Sequence, residues 1–155
     1  MKVQELMTSQ PETCGVDTNL AAAVQLLWDA DCGILPVVDA GRHVIGVITD
    51  RDICIALGTR NLRASDIRVG EAMTGTVETC QLDEDVRKAL ERMRDRGVRR
   101  LPVVDSEGVL TGILSLDDAV LATAARSGVR AADVIEALRS ICSRRLPAPA
   151  EPVAG

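Results

Sequence analysis

Apolar residues recur at helical spacing in two stretches of this chain, one in each half. In the second stretch arginine and glutamate fill the positions between them, which predicts a helix with one buried face. The residues of the two apolar faces are Leu20, Ala23, Val24 and Leu27 in the first half and Val86, Ala89, Leu90 and Met93 in the second. Asp17 or Thr18, and Asp83, are predicted to cap these helices. Gly33 and Gly97 are predicted to end them.

Short apolar runs before and after each helix pattern predict strands. Turn residues separate the last two runs of each half, and a second helix is predicted to begin directly afterwards, at Thr49 and at Ser115. The predicted strands are residues 13–16, 34–38 and 44–48 in the first half and residues 79–82, 100–104 and 109–114 in the second. The order β-α-β-β-α therefore occurs twice, which indicates the α/β class.

The two halves are copies of one unit. The sequence LPVVD occurs at residues 35–39 and again at 101–105, and 19 positions are identical when residues 3–60 are laid on 69–126. A unit of about 60 residues is marginal alone, so we expect the copies to stabilise each other. The expected divisions are a first copy at 1–60, a linker at 61–68, a second copy at 69–126, a C-terminal helix at 127–146 and a disordered Pro/Ala-rich tail at 147–155.

The outer face of the first helix differs between the copies. Leu26 and Trp28 stand where the second copy has Arg92 and Arg94. A helix that is apolar nearly all round requires a second packing partner. We therefore predict that the protein forms a homodimer through this face.

The amino-acid composition argues against two classes of binding function. With 46% apolar residues, a net charge of −5, one Trp and no Phe or Tyr, the chain does not suit binding to nucleic acids or anionic membranes. The sequence has no signal-peptide core and no apolar run long enough to span a membrane, which predicts a cytoplasmic protein. Five cysteines without a CxxC motif fit reduced thiols.

The candidate chemistry lies where each third strand meets the following helix. Both joints, residues 46–52 and 112–118, read Gly-x-x-Thr/Ser-x-x-Asp. One interpretation is a capping box, in which Thr49 or Ser115 caps the helix and Asp52 or Asp118 returns the hydrogen bond. The other is a ligand site, in which the helix start and hydroxyl bind phosphate and the carboxylate accepts from ribose hydroxyls. The two are compatible, because a cap can be vacated for a ligand.

Two copies of β-α-β-β-α with LPVVD and Gly-x-x-Thr/Ser-x-x-Asp resemble a tandem pair of cystathionine-β-synthase (CBS) domains, over residues 1–126. The resemblance implies a pseudo-twofold pair that binds AMP, ADP, ATP or S-adenosylmethionine between its repeats and signals to a partner protein. It implies that Asp52 and Asp118 bind ribose and that Thr49 and Ser115 face phosphate. The implied adenine slot is formed by Thr13 and Cys14 or Thr79 and Cys80, with Ile34 and Pro36 or Leu101 and Pro102 opposite. The chain length and Ile141-Cys142-Ser143 also resemble the small actinobacterial CBS proteins of the hypoxic-response type, which implies a role in stress.

Arg99 and Arg100 break the symmetry, since their counterparts are Gly33 and Ile34. In nucleotide-binding CBS pairs a basic residue before the LPVVD strand commonly reaches ligand phosphates; the alternative is two solvated arginines or an ion pair with Asp95 or Asp118. Asp50 would repel phosphate from the cleft at Thr49. We therefore expect one well-equipped cleft and one poor cleft, the poor one at Thr49.

No pairing typical of an enzyme and no phosphate-binding Gly-rich loop is apparent, and the single His43 does not suggest a metal site. The leading hypothesis is a regulatory binding module without catalytic activity. One alternative is a structural or interaction protein with empty clefts. Another is a thiol-based sensor that uses Cys14 or Cys80, although small buried residues also explain both. Cys32 and Cys54 are interpreted as core residues and Cys142 as an exposed thiol.

Overall fold

The computed structural model describes residues 1–124 and 128–143, in which the unit β-α-β-β-α occurs twice. The first copy consists of β1 (Thr8–Ser9), α1 (Leu20–Asp29), β2 (Ile34–Val38), β3 (Val44–Thr49) and α2 (Asp50–Arg60). The second consists of β4 (Cys80–Gln81), α3 (Val86–Arg96), β5 (Arg100–Val104), β6 (Leu110–Ser115) and α4 (Leu116–Ala124), and α5 (Ala131–Ser143) follows it. The α/β class and the two repeats are confirmed, although β1 of the first copy lies ahead of the strand predicted at residues 13–16.

The N-terminal segment of each copy crosses to the other copy. The amide of Val3 donates to the carbonyl oxygen of Glu84 at 2.9 Å, and the equivalent amide of Val69 donates to that of Thr18 at 2.7 Å. Val3 is fully buried in the core of the second copy, and Val69 is fully buried in that of the first. The copies therefore complete each other's cores.

The crossing also adds a strand of the first copy to the sheet of the second. Strand β1 pairs antiparallel with β6 of the other copy, so the larger sheet has the order β1-β6-β5-β4. The equivalent contact on the hairpin β2-β3 is a bridge between Val47 and Thr74. In the first copy the predicted strand at residues 13–16 is reduced to a single parallel bridge from Cys14 to Val37. The matching residues of the second copy form the two-residue strand β4.

Both first helices begin later than predicted, by one or two residues in the first copy and by two in the second. Asn19 caps α1 and Asp85 caps α3, and both residues have extended backbones. Each is held extended by an antiparallel bridge to the crossing segment, Asn19 to Arg68 and Asp85 to Lys2. Asp17, Thr18 and Asp83 were therefore wrong as N-caps, because a contact between the copies delays the helix start.

The helix ends also differ between the copies. Gly97 terminates α3 in the left-handed conformation with φ 69°, as predicted. In the first copy α1 ends at Asp29, and the left-handed position after it is taken by Asp31 with φ 47°. Gly33 is the counterpart of Arg99, not of Gly97, so it does not end the helix.

Gly46 and Gly112 lie where the crossing segments pass over β3 and β6. A Cβ atom on Gly46 would lie 3.0 Å from the carbonyl oxygen of Thr74, and one on Gly112 would lie 2.9 Å from that of Thr8. The side chains of Met73 and Met7 pack over the same two positions. Glycine is therefore needed at both for the segments to approach.

The C-terminal helix α5 packs on α3 and α4 of the second copy. Its buried residues Val134, Ala137 and Ile141 join the core that contains Leu90 and Met93. The predicted helix at 127–146 is thus present over Ala131–Ser143, and the predicted tail at 147–155 lies outside the described residues.

The equivalent face of the first copy is exposed. Leu90 is 2% exposed beneath α5, whereas its counterpart Val24 is 43% exposed. Arg94 pairs with Glu136 of α5 at 3.4 Å, whereas its counterpart Trp28 is 81% exposed. Val24 was predicted to be buried, and that prediction was wrong because the first copy has no helix in the place of α5.

Candidate functional site

Two clefts lie between the copies, and each is built from both of them. The first, which we call the Thr49 cleft, combines the joint at Thr49 and Asp52 with the crossing segment of the second copy and the loop before β5. The second, the Ser115 cleft, combines Ser115 and Asp118 with the crossing segment of the first copy and the loop before β2. Neither cleft belongs to one copy alone.

The two joints form capping boxes at the starts of α2 and α4. The Thr49 amide and hydroxyl donate to Oδ2 of Asp52 at 2.9 and 2.7 Å, and the Asp52 amide donates back to the hydroxyl at 3.1 Å. Ser115 and Asp118 make the same three bonds at 2.8, 2.7 and 3.0 Å. The capping interpretation is confirmed. It leaves the ligand interpretation open, because both boxes face a cleft.

The Thr49 cleft has a volume of about 540 Å³ and carries four arginines. They are Arg51, Arg96, Arg99 and Arg100, and the carboxylates in the same cleft are Asp50, Asp52 and Glu78. Arg96 is paired with Glu78 at 2.9 Å. The apolar part of the wall is aliphatic and includes Ile34, Val47, Val98 and Pro102. This combination suits a ligand with an apolar part and an anionic part.

The Ser115 cleft is smaller, with a volume of about 350 Å³, and has the opposite charge balance. Arg100 is the one arginine among its lining residues, which include the carboxylates Glu12, Asp31 and Asp118. An anionic ligand therefore meets a less favourable field here than in the Thr49 cleft.

Arg99 lies in the Thr49 cleft, whereas the prediction had this cleft as the poorly equipped one. Arg99 lines the Thr49 cleft together with Asp50, and Arg100 lines both clefts. The guanidinium of Arg100 lies 3.6 Å from the carboxylate of Asp117. Arg99 lies in the Thr49 cleft because the crossing of the two copies brings the loop before β5 against the joint of the first copy.

The residues predicted to form one wall of the adenine slot do not line the clefts. Thr13, Cys14, Thr79 and Cys80 are absent from the residues that line either one. Cys14 and Cys80 are buried in the two cores, and burial raises the pKa of Cys14 to about 11 and that of Cys80 to about 12. Pro102, from the opposite wall of the predicted slot, does line the Thr49 cleft. Ligand contacts by the four residues remain predictions.

The other cysteines are more accessible than predicted. Cys54 is exposed on α2 and Cys32 is half-buried, so the assignment of Cys54 to the core was wrong. Its counterpart Val120 also points outward from α4. Cys142 is exposed, as predicted. Within residues 1–124 and 128–143, no three His, Cys, Asp or Glu side chains are grouped so as to hold a metal ion.

Sequence reasoning missed the contributions of Arg51, Arg96 and the crossing segments to the clefts. The segment at 74–78 lines the Thr49 cleft and the segment at 8–12 lines part of the Ser115 cleft. Val3 and Val69 are apolar residues ahead of the first predicted strand of their copies, but no pattern in the sequence indicates which core each of them joins. None of the helices formed by the described residues is long and apolar enough to cross a membrane.

Comparisons with known proteins agree with this architecture. YlbB of Bacillus subtilis is 33% identical over 138 residues, which is 87% of this chain and 92% of YlbB. The structure of Hypoxic Response Protein I, with two coordinated zinc ions, is 26% identical with a TM-score of 0.71, covering 78% of this chain and 98% of that one. That similarity supports the narrower resemblance to hypoxic-response proteins.

Two similar structures contain adenosine-based ligands. The CBS domain pair of MJ0100, in complex with 5'-methylthioadenosine and S-adenosyl-L-methionine, is 26% identical with a TM-score of 0.73 and covers 80% of this chain and 96% of that one. CBSX2 in complex with AMP is 28% identical with a TM-score of 0.69 and covers 79% and 96%. The CBS domain family itself matches residues 3–59 and 69–124. The chain therefore belongs to the CBS domain family and is a tandem CBS pair.

Proposed function

We propose that this protein is a regulatory module that binds an adenosine-containing ligand in the Thr49 cleft and passes the occupancy of that cleft to a partner protein. One observation carries the proposal: four arginines line the cleft into which the start of α2 opens. Arginine suits bidentate contacts with phosphate, and a helix start offers amide donors and a positive dipole end.

Each part of the ligand has a matching part of the cleft. Arg99, Arg51 and the Thr49 hydroxyl would contact phosphate, and Asp52 would accept from ribose hydroxyls in place of its own cap. The adenine would lie against the aliphatic wall of Ile34, Val47 and Pro102. Asp50 lies in the same cleft and limits how much negative charge the ligand can carry.

The ligand class is proposed to be AMP, ADP, ATP or S-adenosylmethionine. The complexes of MJ0100 with S-adenosyl-L-methionine and of CBSX2 with AMP support this class. The positive character of the Thr49 cleft favours the phosphate-bearing members over the sulfonium. No cofactor is part of the proposal.

Signalling requires that ligand affinity differ between two arrangements of the pair. The Thr49 cleft has walls from both copies, so a bound ligand would contact both and favour the arrangement in which they are closest. The unpaired cysteines fit a reducing compartment, and we propose that the switch acts in the cytoplasm, in a stress response.

We propose further that the protein is a homodimer that uses the exposed face of α1. Val24 and Trp28 lie on that face, and Ile55 is exposed on the neighbouring α2. A solvent-exposed Trp beside other apolar side chains is typical of an interface. The second copy buries its equivalent face under α5, which supports the view that this face requires a cover.

Thermal unfolding with each ligand tests the proposal. At 100 times its dissociation constant, a ligand adds about 2.7 kcal/mol of stability. For a chain of this size the midpoint then rises by roughly 5 to 10 °C. The rise should be smaller in Asp52→Ala and in Arg99→Ala, but fully retained in Arg63→Ala, a matched control because Arg63 is exposed and lines neither cleft. No rise with any of the four ligands at millimolar concentration would instead favour a structural protein with empty clefts.

A further inference from the structure

Arg100 lies where the two clefts meet, and it lines both of them. Its counterpart in the first copy, Ile34, also lines both, so these two positions form the partition between the clefts. Among the described residues, Arg100 is the only charged side chain that the two clefts share. A positive charge at the partition therefore comes from this residue.

The clefts depend on Arg100 to different degrees. The Thr49 cleft has three other arginines, at positions 51, 96 and 99. In the Ser115 cleft Arg100 is the one lining residue that can balance Glu12, Asp31 and Asp118. If the guanidinium turns towards the Thr49 cleft, the charged side chains that line the Ser115 cleft are carboxylates alone.

The side chain of Arg100 is not fixed in one orientation and can turn towards either cleft. Its guanidinium lies 3.6 Å from Asp117, whose side chain is 80% exposed, and Arg100 itself is 35% exposed. An ion pair of that length at the surface contributes little to holding the side chain. A bidentate contact commits the planar guanidinium to one phosphate at a time.

We propose that Arg100 couples the two clefts negatively, so that a phosphate-bearing ligand in the Thr49 cleft weakens binding of a second one in the Ser115 cleft. The inference rests on the proposed function, since it requires that phosphate-bearing ligands bind in the clefts. Coupling between sites is reciprocal, so a ligand in the Ser115 cleft weakens binding in the Thr49 cleft by the same factor. The Thr49 cleft then fills first, and the Ser115 cleft fills at higher ligand concentration.

Calorimetric titration of the full chain with AMP measures the coupling. The wild type should bind in two steps, with the weaker second step removed by Asp118→Ala. In Asp52→Ala, which disables the Thr49 cleft, AMP should bind in the Ser115 cleft about tenfold more tightly than in the second step of the wild type, a typical size for coupling between sites. Asp52→Asn provides the same comparison if circular dichroism shows that Asp52→Ala is not folded.

Two controls identify Arg100 as the cause. The double variant Asp52→Ala/Arg100→Ile, which places the residue of position 34 at position 100, should lose the tenfold gain. Adenosine, which has no phosphate, should bind the Ser115 cleft with equal affinity in the wild type and in Asp52→Ala. Equal AMP affinities in those two proteins would overturn the coupling and leave the proposed function standing. Absence of binding by AMP, ADP, ATP and S-adenosylmethionine alike in the wild type would overturn both.

Discussion

Val3 and Glu84 belong to different copies, yet the amide of Val3 donates to the carbonyl oxygen of Glu84 at 2.9 Å and its side chain fills the core of the second copy. The first residues of the chain are thus part of the fold of the second half. The same relationship holds in the other direction for Val69 and Thr18. Stability therefore belongs to the pair and not to either copy.

Shortening Val3 should destabilise the whole molecule. Val3→Ala leaves a cavity in the second core, and we expect the free energy of unfolding to fall by about 2 kcal/mol in a single transition. Val69→Ala should have a similar effect through the first core. Urea unfolding followed by circular dichroism measures both, with Leu62→Ala as the control because Leu62 is exposed. Two separate transitions in the wild type would contradict the view that the copies depend on each other.

Alanine should not be tolerated beneath the crossing segments. In Gly46→Ala or Gly112→Ala the new methyl group would press on the backbone of the segment that passes above, and we expect a loss of about 1 to 3 kcal/mol. Gly58 lies in α2 with open space around its Cα, so Gly58→Ala should raise stability by up to about 1 kcal/mol. Thermal unfolding of the three variants checks the order, and equal effects at Gly46 and Gly58 would contradict it.

The buried thiols should be unreactive at neutral pH. The raised pKa values of Cys14 and Cys80 keep both protonated, and the thiolate is the reactive form. Iodoacetamide at pH 7.5 should label the exposed Cys54 and Cys142 long before Cys14 and Cys80, as read by mass spectrometry of peptides. Rapid labelling of Cys80 in the folded protein would restore the thiol-sensor hypothesis.

The same two thiols should make stability depend on alkaline pH. In the unfolded chain they lose their protons near pH 9, whereas in the folded state they keep them to about pH 11 and 12. Above pH 9 the folded state binds more protons, so the free energy of unfolding falls as pH rises, by at most about 1.4 kcal/mol per pH unit for each thiol. Urea unfolding at pH 8, 9 and 10 under reducing conditions should show this, with a smaller slope in Cys14→Ala/Cys80→Ala.

Replacing Trp28 should weaken the proposed dimer without harming the fold. Trp28→Arg introduces the residue found at the equivalent position 94, and Trp28 is exposed in the single chain. We expect at least a tenfold rise in the dimer dissociation constant by analytical ultracentrifugation, with an unchanged circular dichroism spectrum. Leu121→Arg is a control of similar exposure on α4 of the second copy. An unchanged dissociation constant in Trp28→Arg would exclude this face.

The elements and the two capping boxes could be predicted from the sequence because their causes are local. Strand alternation, turn residues and the spacing of Thr49 from Asp52 are contained in a few neighbouring residues. The pairing of each joint with the other copy's loop depends on where Val3 and Val69 are buried, which no local pattern records. The arrangement of Arg99 with Thr49 therefore required the structure. Helix starts at Asn19 and Asp85 were missed for the same reason, since the crossing segment holds them extended.

The crossing has an evolutionary consequence. When the ancestral unit was duplicated, each descendant site was composed of one wall from each gene half, so two composite sites arose together. A difference between the halves, such as Arg99 where the other half has Gly33, changes the cleft whose joint lies in the opposite half. Selection on one ligand site therefore acts on both halves of the gene, and neither half can be inherited or exchanged as an independent functional module.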